Sequence, residues 1–203
     1  MTGKHVSTFN NRNITNMKHL LLAVAAIIAT FSLQAQQKEI PANIRMEVAE
    51  VEKDNAKYEI FTYKDDDGTF GYYLSLGGAS QIFSISKNGV TDFSIEDARE
   101  TCLWLGATSA EALATLDTIF ALYDREAGTV VQFQGRTTAG ADRLTDPNTT
   151  TCTVQKRLLG GKRLVFTFTS GRRECGVYLN KGIVKQLRFG LKTDIKLHPK
   201  QHR

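Results

Sequence analysis

Histidine is almost missing from the part of this chain that can build a core. The 203 residues hold four: His5 and His19 near the N-terminus, His198 and His202 in the last six positions. Ser-His-Asp and Cys-His catalysis need an imidazole oriented inside a cleft, which neither end of the chain offers. His198 and His202 lack a third ligand for zinc, and Pro199 interrupts a helix between them. No Cys-x-x-Cys pair occurs. No Gly-x-Gly-x-x-Gly follows a strand, and Gly160-Gly161-Lys162 lacks the earlier glycine and following Ser or Thr of a phosphate loop. Asp65-Asp66-Asp67-Gly68 is acidic enough for calcium, but the twelfth position counted from Asp65 is Leu76, where that loop needs glutamate. It reads instead as a solvated hairpin turn. The expectation is therefore no cofactor, no metal and no catalytic residue. There is no repeat at a fixed period and no low-complexity segment.

Long apolar runs are also scarce. The one strong run, Leu20 to Leu33, has fourteen residues, fewer than the ~20 that span a bilayer. Lys18 and His19 precede it, and Ser32-Leu33-Gln34-Ala35 follows with a small residue at the exit. Positive start, short apolar core and small exit predict a cleaved signal peptide, Met17–Ala35, with residues 1–16 upstream of the true start. No cysteine stands directly after the run, which excludes lipid anchoring at a processed N-terminal Cys. The expected product is one mature domain, 36–203, exported to the periplasm, the cell surface or beyond, without an integral membrane span.

What is present is charge, unevenly placed. Residues 36–150 carry 10 basic and 19 acidic residues, net −9. Residues 151–203 carry 13 basic and 2 acidic, net +11. The plain reading is basic C-terminal strands packing beside acidic N-terminal ones. The sharper reading is a basic face for an anionic partner. Its candidate contacts are Lys156, Arg157, Lys162, Arg163, Arg172 and Arg173, at or near the two ends of the C-terminal hairpins. An exported address disfavours nucleic acid.

Three cysteines follow the leader, Cys102, Cys152 and Cys175. In a regular meander Cys152 and Cys175 lie two strands apart, about 9.6 Å. That exceeds the ~7 Å between Cα atoms that a disulfide allows. Cys102 could pair with either if its strand is adjacent.

Element patterns indicate an α+β fold: a mainly antiparallel sheet of about 7–9 short strands, one central amphipathic helix and a short second helix near the C-terminus. The centre is Thr101 to Tyr123. Thr101-Cys102-Leu103-Trp104-Leu105 reads as a buried strand ended by Gly106. Thr108 and Glu111 make a capping box. Leu113, Leu116, Phe120 and Tyr123 form the expected apolar stripe, with Ile119 and Leu122 beside it. Further strands are expected at 43–51, 58–63, 70–76, 81–86, 129–134, 152–158, 163–169 and 174–179. Thr91 to Glu100 reads as acidic and irregular, and Arg136 to Thr150 as a long polar loop. A turn at Gly160-Gly161-Lys162 would set Leu158 opposite Leu164 and Val154 opposite Phe168. Asn180 caps a second helix with Ile183, Val184, Leu187 and Leu191 on one face, before a frayed basic tail, 192–203. Asn148-Thr149-Thr150 and Asp117-Thr118-Ile119 match short glycosylation sequons.

The leading expectation is an exported, non-catalytic binding or interaction module for an anionic glycan, a lipid headgroup or another exported protein. One alternative is a hydrolase using the carboxylates of Asp92, Glu96, Asp97 and Glu100, which needs separated carboxyls across a cleft. The other is a carrier holding a small apolar ligand between sheet and helix.

Overall fold

Ten antiparallel strands form a single sheet. They are β1 (Met46–Lys53), β2 (Ala56–Lys64), β3 (Phe70–Ser75), β4 (Phe83–Ser86), β5 (Gly89–Phe93), β6 (Thr101–Gly106), β7 (Val130–Ala139), β8 (Arg143–Lys156), β9 (Lys162–Ser170) and β10 (Arg173–Leu179). Two helices accompany them, α1 (Ser109–Leu122) and α2 (Lys181–Leu197). The structure is a computed structural model and describes residues 41–53, 56–77, 83–86, 89–93, 100–139, 143–170 and 173–199. The expected leader, Arg172, His202 and most of the 91–100 segment lie outside the described residues. The α+β class with an antiparallel sheet is as the sequence indicates.

The strand order is β1-β2-β3-β6-β7-β8-β9-β10-β4-β5. It is a meander with one excursion. After β3 the chain crosses to the far edge, makes the β4–β5 hairpin beside β10, and returns to β6. Thr91, expected to be irregular, belongs to β5. The sheet curls: the Tyr58 hydroxyl on β2 donates to the Tyr178 carbonyl on β10 at 3.4 Å. At the C-cap of α1, the Tyr123 hydroxyl donates to the Leu179 carbonyl at 2.7 Å.

The inner face of the sheet and the two helices share one core, which includes Ile60, Leu74, Leu103, Leu116, Phe166 and Leu187. The capping box on α1 is complete: Glu111 N donates to Thr108 Oγ1, and Thr108 N to Glu111 Oε2, both at 3.2 Å. Its buried stripe is Ala112, Leu116, Ile119, Leu122 and Tyr123, with Leu113 and Phe120 only half-buried. The helix is thus rotated from the expected Leu113-Leu116-Phe120 face. The reason is α2, which packs beside α1 and covers the Phe120 ring with Lys181 Nζ at 4.8 Å.

α2 buries Ile183, Val184, Leu187 and Leu191, as the spacing predicts. It is longer than expected, however, and takes the first residues of the supposed tail. Gly190 lies against β1, where an added Cβ would come 2.8 Å from Ala49 Cβ. That close seat lets the helix pack against the edge strand. Asn180 is the N-cap residue but makes no side-chain cap hydrogen bond.

The described residues of the expected 136–150 loop, 136–139 and 143–150, are strand. They continue β7 and β8 as a paired arm, rich in Thr, with Pro147 opposite Arg136 at a register shift. A proline is tolerated there because bulged positions need not donate to the ladder. The arm end lies on the outer face of β2 and β3, where Leu144 joins Phe61, Tyr63, Tyr73, Cys102 and Trp104 in a second, smaller core. Arg136 pairs with Asp65 and donates through Nε to the Thr145 carbonyl at 2.6 Å. The 65–68 turn is therefore a hairpin turn, as read, but its first carboxylate anchors the arm.

The cysteines stay free and buried. They sit on β6, β8 and β10, so each neighbouring pair is separated by an intervening strand. Cys102 also belongs to the outer cluster, while Cys152 and Cys175 face the inner core. Neither partner expected for Cys102 is adjacent, because β7 intervenes before β8.

Candidate functional site

The most distinctive surface is the tip of the β8–β9 hairpin, Lys156 to Arg163. The register is Val154 opposite Leu164 and Cys152 opposite Phe166, with Lys156 opposite Lys162. This overturns the expected pairing of Leu158 with Leu164. Arg157 N donates to the Gly161 carbonyl at 3.0 Å, and Gly160 N to the Arg157 carbonyl at 3.2 Å. The turn is thus Arg157 to Gly160, with Leu158 and Leu159 at its centre. Gly160 (φ +91°) and Gly161 (φ +76°) complete it in a backbone region that L-residues avoid. Inner-face packing decides the register. It keeps Val154, Leu164, Cys152 and Phe166 facing the helices, and a slip along the ladder would lose those partners.

The consequence is two adjacent leucines with nothing over them. Leu158 is 101% exposed and Leu159 97%. Lys156, Arg157, Leu158, Leu159 and Arg163 line a solvent-open concavity of about 730 Å³. A second concavity, at the C-terminal end of α1, is lined by Asp124, Arg125 and Glu126 and mixes both signs of charge.

Four cations surround the leucines. Among the described residues, no ion pair involves Lys156, Arg157, Lys162 or Arg163. Lys162 donates to the Arg125 carbonyl, which leaves its charge uncompensated. Arg163 is pinned on the outer face, its guanidinium 3.9 Å from the Tyr178 ring centre and Nη2 donating to Gln155 Oε1 at 3.2 Å. The Lys156–Lys162 cross-strand pair sets like charges opposite each other, an arrangement that costs stability unless solvent or an anion screens it. Elsewhere cations are spent internally: Lys181 on Asp124 at 3.0 Å, Arg188 on Asp117, Arg45 on Glu100 at 3.2 Å.

Arg173 opens β10 at the opposite end of β9 from the tip. Nine strand residues separate the ends by about 25–30 Å. Arg173 therefore stands apart from the tip, and the four around Leu158 and Leu159 stand together.

Sequence reasoning missed Phe189. It is 72% exposed on α2, with exposed Lys185, Lys192 and Lys196 four before, three after and seven after it. That spacing places them on one helical face and was readable once the helix was known to extend past residue 191.

Of the acidic quartet, Glu100 is the member whose surroundings the structure describes. It is held by Arg45 and accepts a hydrogen bond from Ser75. Cys102 lies beside it, with Arg45 Nη2 3.4 Å from its sulfur. Burial holds the Cys102 thiol well above its ordinary pKa, which favours the protonated thiol. Burial likewise raises Glu59. His198 pairs with Asp194 at 2.8 Å on exposed helix end. Among the described residues, no group of three His, Cys, Asp or Glu could hold a metal ion, and no helix is long and apolar enough to cross a membrane. Asn148 has its amide nitrogen buried, which closes that sequon, whereas Thr118 is exposed.

The buried thiols and phenols set an alkaline limit. Burial pushes Cys152 and Tyr72 each up to about 12, and Tyr123 higher still. Unfolded, these groups lose their protons from about pH 8.5 for Cys and 10 for Tyr. Above that the folded chain binds more protons than the unfolded one, so stability falls as pH rises. The urea midpoint should be flat between pH 7 and 8.5 and drop steadily towards pH 12. A flat midpoint up to pH 11 would show that these groups ionise in place.

No family model, no curated protein and no solved structure matches the chain.

Proposed function

We propose that this protein is an exported, non-catalytic binding module that attaches to an anionic surface through the β8–β9 hairpin tip. The observation behind this reading is the set of four cations around Leu158 and Leu159 with no carboxylate among the described residues paired to any of them. Internal complementarity accounts for other basic residues of the C-terminal region, such as Lys181 and Arg188, and leaves these over. The Met17–Ala35 pattern supports export, and export argues against a nucleic-acid partner.

Basic residues near an anionic surface each contribute about 1 kcal/mol, and the attraction fades within a Debye length, about 10 Å at 0.1 M salt. Neutralising Lys156, Arg157 and Lys162 together to glutamine should therefore cost about 3 kcal/mol, roughly 100-fold in affinity. The measurement is binding of the full chain to dextran sulfate and to vesicles containing phosphatidylglycerol, at 50 and 500 mM NaCl. Binding should be strong at low salt, weak at high salt and lost in the triple variant. Failure to bind both materials, or an unaffected triple variant, removes the proposal.

A further inference from the structure

We infer that the anionic surface is a lipid bilayer, and that the hairpin tip docks by seating Leu158 and Leu159 among the acyl chains beneath the headgroups. The inference rests on the anionic-surface reading and goes further by naming the partner. Its ground is the combination at one apex of two uncovered leucines and four unneutralised cations. Charge alone would suit any polyanion. An anionic glycan, however, has no apolar volume to receive two adjacent leucines that occupy the centre of one turn. A bilayer has both layers in the right order: phosphates outside and hydrocarbon a few ångströms below.

The backbone suits that role. Gly160 and Gly161 take positive φ, so the turn closes tightly and its two central side chains lead the hairpin. The strands behind are held by the inner core through Val154, Leu164 and Phe166. The leucines are therefore carried on a rigid stem and need no refolding to insert. Lys156, Arg157 and Lys162 follow directly behind them along the chain, where phosphate groups would lie. A second copy of this chain fits poorly as occupant. Joining two tips would bring two sets of four cations together without a carboxylate between them.

The test uses the full chain and two vesicle types, pure phosphatidylcholine and a 3:1 mixture of phosphatidylcholine with phosphatidylglycerol, alongside dextran sulfate. Leu158→Ala/Leu159→Ala should weaken binding to the mixed vesicles at least tenfold and leave dextran sulfate binding unchanged. Leu159→Trp should show an emission blue shift with mixed vesicles that the wild type, reporting through Trp104 alone, does not show. Both positions are fully exposed, so neither change removes packing; circular dichroism checks that the fold is kept.

If the double-alanine variant binds mixed vesicles as well as wild type, the leucines do not insert and the inference is overturned. The same follows if Phe189→Ala weakens vesicle binding while the leucine variant does not, since α2 would then meet the lipid. Binding to dextran sulfate without binding to vesicles overturns the bilayer and leaves the anionic-surface reading standing. No binding to any of the three overturns both.

Discussion

Leu116→Ala should destabilise the protein by about 2–5 kcal/mol, the range for truncating a fully buried leucine that leaves a cavity. Leu116 is 0% exposed and sits at the middle of α1's buried stripe. Strands lie beneath it and α2 beside it, so no single element can move in to fill the gap. The inner core includes residues from both helices and both ends of the meander, and a cavity there is felt by all of them. Urea unfolding of the variant measures the loss. Leu113→Ala is the companion: Leu113 is only half-buried on the flank of the stripe and should cost clearly less. Equal losses would mean that α1 faces the sheet as its raw apolar spacing suggests, contrary to the rotation described above.

Gly71→Ala should be costly for the opposite reason, overpacking, at about 1–3 kcal/mol. A Cβ on Gly71 would lie 1.9 Å from Trp104 Cζ3 and 2.1 Å from Cη2. The indole cannot simply turn aside. It packs edge-on to Tyr73, with ring centres 5.1 Å apart and planes at 72°, and Tyr73 stacks on Phe61 at 5.7 Å. Displacing Trp104 therefore opens the outer core beneath the β7–β8 arm. Trp104 is the chain's one tryptophan, so its emission reads the displacement directly as a shift to longer wavelength. Trp104→Leu should recover much of the loss in a double-mutant cycle, since the coupling belongs to this pair. Purely additive losses would place the strain in the β3 backbone instead.

Much of the architecture was legible because it is local. Thr108 and Glu111 lie three residues apart, and capping needs only those two side chains and the helix start. The strand at Thr101–Gly106 is marked by its apolar run and by Gly106. The face of α2 follows from Ile183, Val184, Leu187 and Leu191. What failed was set by contacts distant in sequence. The 136–150 segment looked like loop because its Thr, Asn and Asp residues are polar; 136–139 and 143–150 are strand because β7 and β8 pair with each other and Leu144 finds Phe61 and Tyr63 across the sheet. The exposed face of α2 was hidden by ending the helix at Leu191 and reading 192–203 as a frayed tail, whereas the helix runs on to Leu197 with Gly190 seated against Ala49 of β1.

The candidate site shows the same division. Its residue types were in plain view: Lys156, Arg157, Lys162 and Arg163 around a Leu-Leu-Gly-Gly segment. The assumed register paired Leu158 with Leu164, and that pairing concealed the leucines. The sequence by itself determined that this end of the chain is basic, that a glycine turn falls here and that α1 and α2 begin where they do, because charge, turn preference and capping depend on near neighbours. Only the tertiary structure decided that Leu158 and Leu159 stand uncovered with the cations around them. Strand register answers to the whole buried face, and here Val154 and Cys152 took Leu164 and Phe166 as partners, leaving the two leucines to the turn.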